Sequence, residues 1–141
     1  MTISESVERW LRGYEGGFEP MDSISTDRLA EEDEAFGMFK TPQDTETEFV
    51  DGSRDVTVHY LFLARQPSHT DGMRRDNQAW LEGLESWIRR ENRARRLPDL
   101  GEGRTCFSVS VTGSYAAEEQ TDTNTIYQIS LAIGYFEEAG K

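Results

Sequence analysis

The sequence predicts a single α+β domain over residues 1–141: a mostly antiparallel or mixed sheet of four to five strands, with an N-terminal helix and one long central helix packed on one face. Three observations predict it. Residues 56–64 (Val-Thr-Val-His-Tyr-Leu-Phe-Leu-Ala) gather β-branched and aromatic side chains without Gly or Pro, the composition of a strand. Between 77 and 90 the apolar residues fall at 80, 81, 84, 87 and 88, the spacing of one helical face. Two more strand-like runs, 106–112 and 126–135, complete a strand–helix–strand–strand unit.

The expected element order is α-β-β-β-β-α-β-β. Thr2 and Glu5 have the spacing of a capping box. Ile3, Val7, Trp10, Leu11 and Tyr14 then line one face of the first helix, with Gly16-Gly17 as its stop. Short strands are expected at 21–26 and 35–40, flanking the acidic turn Glu31-Glu32-Asp33-Glu34, and Pro42 breaks the chain after the second. A weakly alternating strand at 45–50 joins the long strand through Asp51-Gly52, a dipeptide suited to a tight hairpin turn. The loop 66–76 offers Asp71 or Asp76 as the N-cap of the central helix. Pro98, Gly101 and Gly103 mark the connector after that helix, 116–124 reads as a long polar loop, and 137–141 as a frayed tail.

The central helix face (Trp80, Leu84, Trp87, Ile88) is expected to pack on Val109, Val111, Ile129 and Leu131, since these are the long apolar faces available to each other. Strand alternation puts Phe107, Val109 and Val111 on the core side with Tyr127, Ile129, Leu131 and Ile133. The opposite face then shows Cys106, Ser108, Ser110 and Thr112 beside Gln128, Ser130, Ala132 and Gly134. That face is small and uncharged. It is either a contact surface or a solvent face whose Ser and Thr follow strand propensity.

Composition narrows the function classes. The chain has no apolar run near twenty residues, so no membrane span is expected, and Met1–Glu5 lacks the basic start and apolar core of a signal peptide. Cys106 is the single cysteine and cannot form an internal disulfide, which suits a reducing cytoplasm. A net charge of −12 argues against a broad phosphate-binding surface. The charge is uneven: residues 1–53 carry 14 acidic and 4 basic side chains, net −10, whereas 54–104 carry 8 acidic and 10 basic, net +2. Arg89, Arg90, Arg93, Arg95 and Arg96 cluster at one helix end. Such asymmetry is either a solvated face with cations at a helix C-terminus, or a pair of complementary surfaces for head-to-tail association through Glu31, Glu32 and Asp33.

Reactive chemistry is sparse. Cys106 with His59 or His69 is the one Cys–His option, and a structural cysteine is the ordinary reading. Gly101-Glu102-Gly103 lacks the further glycine and preceding strand of a phosphate loop. Two histidines and one cysteine have no zinc spacing, and Glu31–Glu34 lacks the alternating ligands of a calcium loop. The expectation is therefore no catalytic residue, metal or cofactor.

Residues 51–65, read together with 77–88, Cys106–Ser110 and Tyr127–Ser130, resemble small proteins from the tail-assembly regions of siphophages and prophages of Gram-positive bacteria, the tail terminators (tail completion or minor structural proteins). The resemblance covers about residues 35–136. It implies a non-enzymatic α+β subunit that forms a homo-oligomeric, typically hexameric, ring on the head-proximal end of the tail tube. Such a ring ends tube growth and prepares head–tail joining. Implied partners are further copies of the chain, the tail tube protein and the head–tail connector, with DNA passing through without tight binding. The implied place is the virion, after assembly in the host cytoplasm. The candidate interface residues are Arg89, Arg90, Arg93, Glu31, Glu32, Asp33, Ser108, Ser110, Gln128 and Ser130. A head–tail neck protein and an intracellular adaptor binding through the polar sheet face are the alternatives.

Overall fold

The computed structural model describes residues 2–14, 24–26, 35–67, 70–120 and 124–140. Helix α1 (Ile3–Leu11) is followed by β1 (Ile24–Thr26), β2 (Ala35–Glu48), β3 (Arg54–Pro67), helix α2 (Asp71–Arg93), β4 (Arg104–Gln120) and β5 (Asn124–Glu137). The strands form one sheet in the order β1-β2-β3-β5-β4. β1 runs parallel to β2, and the other neighbours are antiparallel. The α+β class, the N-terminal helix and the central helix are as the sequence predicts.

Local chemistry sets the boundaries. Thr2 caps α1 in the expected capping box with Glu5, and α1 ends at Leu11 rather than at Gly16-Gly17, which lie outside the described residues. The segments either side of Pro42 belong to one strand, with the register shifting between Thr41 and Thr45; proline has no N–H for the ladder, so the chain bulges there and resumes. The Asp51-Gly52 hairpin forms as expected. Asp51 Oδ1 accepts from the Ser53 N–H at 2.9 Å, and Gly52 takes φ +91°, a region costly for a side chain. α2 starts earlier than its apolar pattern suggests, because the cap is Thr70, not Asp71 or Asp76. Its hydroxyl accepts from the Met73 N–H at 3.1 Å. The last hairpin is longer than expected, with strand reaching Gln120 and resuming at Asn124.

Both helices cover the same face of the sheet. Trp80, Leu81, Leu84 and Ile88 of α2 and Val7 and Leu11 of α1 join Phe36, Met38, Val58, Phe62, Val109, Ile129, Leu131 and Ile133 in one core. Burying each large aliphatic side chain contributes about 1.5–3 kcal/mol. Trp80 stands 5.8 Å from Phe36 and 6.4 Å from Phe62, ring centre to ring centre. Trp87 is partly buried against the same core and also lies 4.8 Å from Trp10 and 5.8 Å from Tyr14, clamping α1 to α2. Its position on the helix is turned towards α1, a neighbour that α2's own pattern does not specify. Tyr14 reaches over Gly83 and donates to the Trp80 carbonyl at 3.2 Å; a Cβ on Gly83 would lie 2.4 Å from that hydroxyl.

Phe107 and Cys106 exchange their expected faces. Cys106 pairs with Tyr135 but Ser108 pairs with Gly134, so β4 carries one extra residue between them. Cys106 therefore points into the core, and Phe107 points out, 42% exposed. From Ser108 to Thr112 the predicted alternation holds.

Candidate functional site

Among the described residues, both helices lie on one face of the sheet and leave the other uncovered. Pleating directs Phe39, Thr41, Thr45 and Thr47 of β2, the odd residues 55–65 of β3, and the even residues 126–136 of β5 to that side. Ser108, Ser110 and Thr112 of β4 join them. Cross-strand rows run Phe39–Leu61–Ser130, Thr41–His59–Ala132–Ser110 and Thr45–Thr57–Gly134–Ser108. The face is more apolar than its Ser-rich half suggests: Phe39, Leu61, Leu63, Ile126 and Phe136 are half-buried and Phe107 is exposed. Two of its hydroxyls bond to the sheet backbone, Thr41 donating to the His59 carbonyl and Thr112 to the Ser130 carbonyl, each at 3.3 Å. Among the described side chains on this face the charges are Asp55 and Arg65, at opposite ends of β3. Antiparallel sheets that merely face water carry polar side chains on that side. This one presents a smooth, nearly uncharged surface.

Beside it, the β2–β3 turn exposes Phe49 at 44% and Val50 completely. Here the chain shows two large apolar side chains to solvent in succession, which local backbone chemistry does not require.

The arginine end of α2 packs along the free edge of β4. Asn92 Oδ1 accepts from the Val109 N–H at 2.9 Å, and the Arg95 guanidinium donates to the Phe107 carbonyl at 2.9 Å. These side chains occupy edge groups that would otherwise pair with another strand. α2 closes in a Schellman motif, Arg96 N–H to Glu91 O at 2.9 Å and Arg95 N–H to Asn92 O at 3.3 Å, with Arg95 at φ +63° where glycine is usual. Arg89 pairs with Glu85 at 3.3 Å and Arg96 with Glu91 at 2.7 Å, while Arg90 and Arg93 are exposed in the last turn and complement the helix dipole.

A third feature is an open groove of about 800 Å³ on the helix side of the sheet, bounded by the start of α1, with Val56, Val58, Tyr60 and Tyr135 at its floor. Four strands bring charges together at its end. Glu137 accepts from Arg54 at 2.9 Å and from Arg104 at 3.0 Å, and Arg54 also pairs with Glu46. Glu137 thus belongs to the structured sheet and not to a frayed tail, its side chain only 6% exposed. The Arg104 hydrogen bond, joined by Arg54, holds the Glu137 carboxyl below the usual carboxylate range against the opposing effect of burial. Lys40 pairs with Asp44 at 3.0 Å, so the groove's cations stand opposite carboxylates.

The predicted interface residues separate into distinct places. Ser108, Ser110, Gln128 and Ser130 share the uncovered face, with Gln128 buried and Ser110 exposed. Arg89, Arg90 and Arg93 are on α2, on the other side of the sheet. Glu31, Glu32 and Asp33 lie outside the described residues. Sequence reading missed Phe39, Leu61, Leu63 and Phe136; the alternation of 56–64 was the available signal, since in a strand packed on one side the other parity must point away. Cys106 and His59 occupy opposite faces and do not meet, and burial pushes the Cys106 thiol pKa up. Among the described residues no three His, Cys, Asp or Glu side chains gather as a metal site, and no helix is long and apolar enough to cross a membrane. No protein-family model and no curated protein matches the chain.

Proposed function

We propose that this protein is a non-enzymatic structural subunit that caps the head-proximal end of a phage tail tube as a homo-oligomeric ring, ending tube growth and preparing head–tail joining. One observation supports the structural role above all: a four-strand sheet face, nearly uncharged and left open by both helices, that gains by contact with another protein. The likeness of residues 35–136 to tail terminators supplies the particular assembly. In this reading the exposed Arg90 and Arg93, with Arg89, meet the acidic N-terminal third of the neighbouring subunit, and the uncovered face meets the tube or the connector. Like charge on an acidic ring keeps the passing DNA from sticking. The virion is the resulting location.

Electron microscopy of particles from a host carrying the phage with this gene deleted tests the proposal. Tails of uncontrolled length that fail to join heads, restored to normal by the gene in trans, are the expected result. Tails of normal length joined to heads would overturn it. Normal-length tails that remain detached would assign the subunit to the neck instead.

A further inference from the structure

We infer that the uncovered sheet face pairs with the same face of a second copy in the free protein, about a two-fold axis that runs across the strands between the two sheets at the level of His59 and Leu61. This goes beyond the tail reading and concerns the free protein, before the face meets any other partner.

The arrangement of β3 and β5 carries the inference. On β3 the outward residues run Asp55, Thr57, His59, Leu61, Leu63 and Arg65, beginning with an acid and ending with a base. A two-fold axis across the strands turns one sheet end for end over the other, so Asp55 of each copy stands over Arg65 of its mate at both ends. An axis along the strands gives no such pair: over β3 it sets Asp55 over Asp55 and Arg65 over Arg65, and between β3 and β5 it sets Asp55 over Phe136 and Arg65 over Ile126. The charges select the first arrangement. Arg65 has a contact within its own chain, to which the cross-pair adds.

The same operation brings apolar groups together. Leu63 falls over Thr57, Leu61 over His59 and Ile126 over Phe136, because the register aligns 55 with 136 and 65 with 126. The area also suits a stable pair. Four strands at about 4.8 Å, followed from Asp55 to Arg65 at about 3.3 Å per residue, give roughly 700 Å² per copy, close to the ~800 Å² that one partner of a standard interface buries. Aligned sheets pack at about −30°, which leaves the terminal charges within an arginine's reach.

Sedimentation velocity on the purified full chain tests this. Wild type is expected to dimerise with a dissociation constant in the micromolar range. Leu61→Glu should leave a monomer. Asp55→Arg alone sets two like-charge contacts in each pair and should weaken dimerisation about tenfold, and Asp55→Arg with Arg65→Asp should restore it to within about threefold of wild type. Circular dichroism confirms that each variant is folded. Should Leu61→Glu fail to fold, the exchange at the two ends, on half-buried positions, decides by itself. A wild-type monomer at high micromolar concentration overturns the inference. So does a dimer indifferent to Asp55→Arg, or a double exchange that does not rescue.

Discussion

A Cβ built on Gly134 would lie 2.7 Å from Cε1 of Phe107, so the ring of the bulged residue rests where the glycine lacks a side chain. Gly134 is buried although it belongs to the uncovered face, covered by the Phe107 ring and by the Ser108 hydroxyl, which lies 2.7 Å from the same Cβ position. The two should behave as one unit. Gly134→Ala is expected to cost about 1 kcal/mol in the wild type, by pushing the ring into solvent. In a Phe107→Ala background the same change should cost clearly less, since only the Ser108 hydroxyl then has to rotate away and glycine in a strand is about 0.5–1 kcal/mol worse than alanine. A double-mutant cycle in urea gives the coupling. Additive effects would mean that the ring does not rest on the glycine.

Trp80 and Trp87 are about two helical turns apart yet perform different tasks. Trp80→Ala, which empties space between α2 and the Phe36–Phe62 pair, should cost about 3–5 kcal/mol. Trp87→Ala loosens chiefly the contact of α2 with Trp10 and Tyr14 and should cost about half as much. Denaturant midpoints at constant slope measure both. A larger loss at Trp87 would overturn the clamp assignment.

Glu137 links stability to pH. Its folded-state pKa is depressed, so its contribution is fully present above the ordinary carboxylate pKa of about 4.3 and is lost as pH falls through the folded-state value. Glu137→Gln should cost about 1–2 kcal/mol near pH 7, where it gives Arg54 and Arg104 one neutral amide oxygen in place of a carboxylate. The gap from wild type should narrow progressively below about pH 4. A gap unchanged at pH 3 would show that the carboxylate does not titrate as the arginine contacts require.

The α2 end offers a contrast between backbone and side chain. Asn92→Ala removes the acceptor of the Val109 N–H and should cost about 1–2 kcal/mol. Arg95→Gly relieves the left-handed backbone while deleting the donor to the Phe107 carbonyl, and should change stability by less than about 1 kcal/mol. Hydrogen exchange at Val109 should quicken in Asn92→Ala. Unaltered protection there would indicate that the edge is capped by something else.

Replacing Arg89, Arg90 and Arg93 together by Glu should leave the melting temperature nearly unchanged, as exposed pairs such as Arg89–Glu85 contribute about 0–1 kcal/mol each. Tail capping in complementation should be lost. Normal tails from the triple variant would mean that these arginines serve only the helix end.

Much of the fold was legible in the chain itself, because it rests on nearest-neighbour chemistry. The capping box at Thr2 and Glu5, the Asp51-Gly52 turn, the helical spacing of Trp80, Leu81, Leu84 and Ile88, and the parity of Tyr127, Ile129, Leu131 and Ile133 each follow from residues close in sequence. The same local logic located Ser108, Ser110, Gln128 and Ser130 on one face and marked that face as uncharged. It failed at Cys106 and Phe107, where β4 takes an extra residue and a one-residue slip exchanges inside and outside. It did not reach the second contact of Trp87, with a helix some eighty residues away.

What the sequence by itself determined is which residues form helix and strand and which parity of each strand is apolar, since propensity and periodicity act over a few residues. Tertiary structure alone decided how those parities line up across strands. Only the registers of β3 and of β4 against β5 set Arg54 and Arg104 on either side of Glu137, and only the placement of both helices on one side leaves the other open, among the described residues, from Phe39 to Phe107. Strand pairing is chosen by long-range burial: the sheet adopts the alignment that brings every apolar parity under the helices at once, a condition no single segment can express.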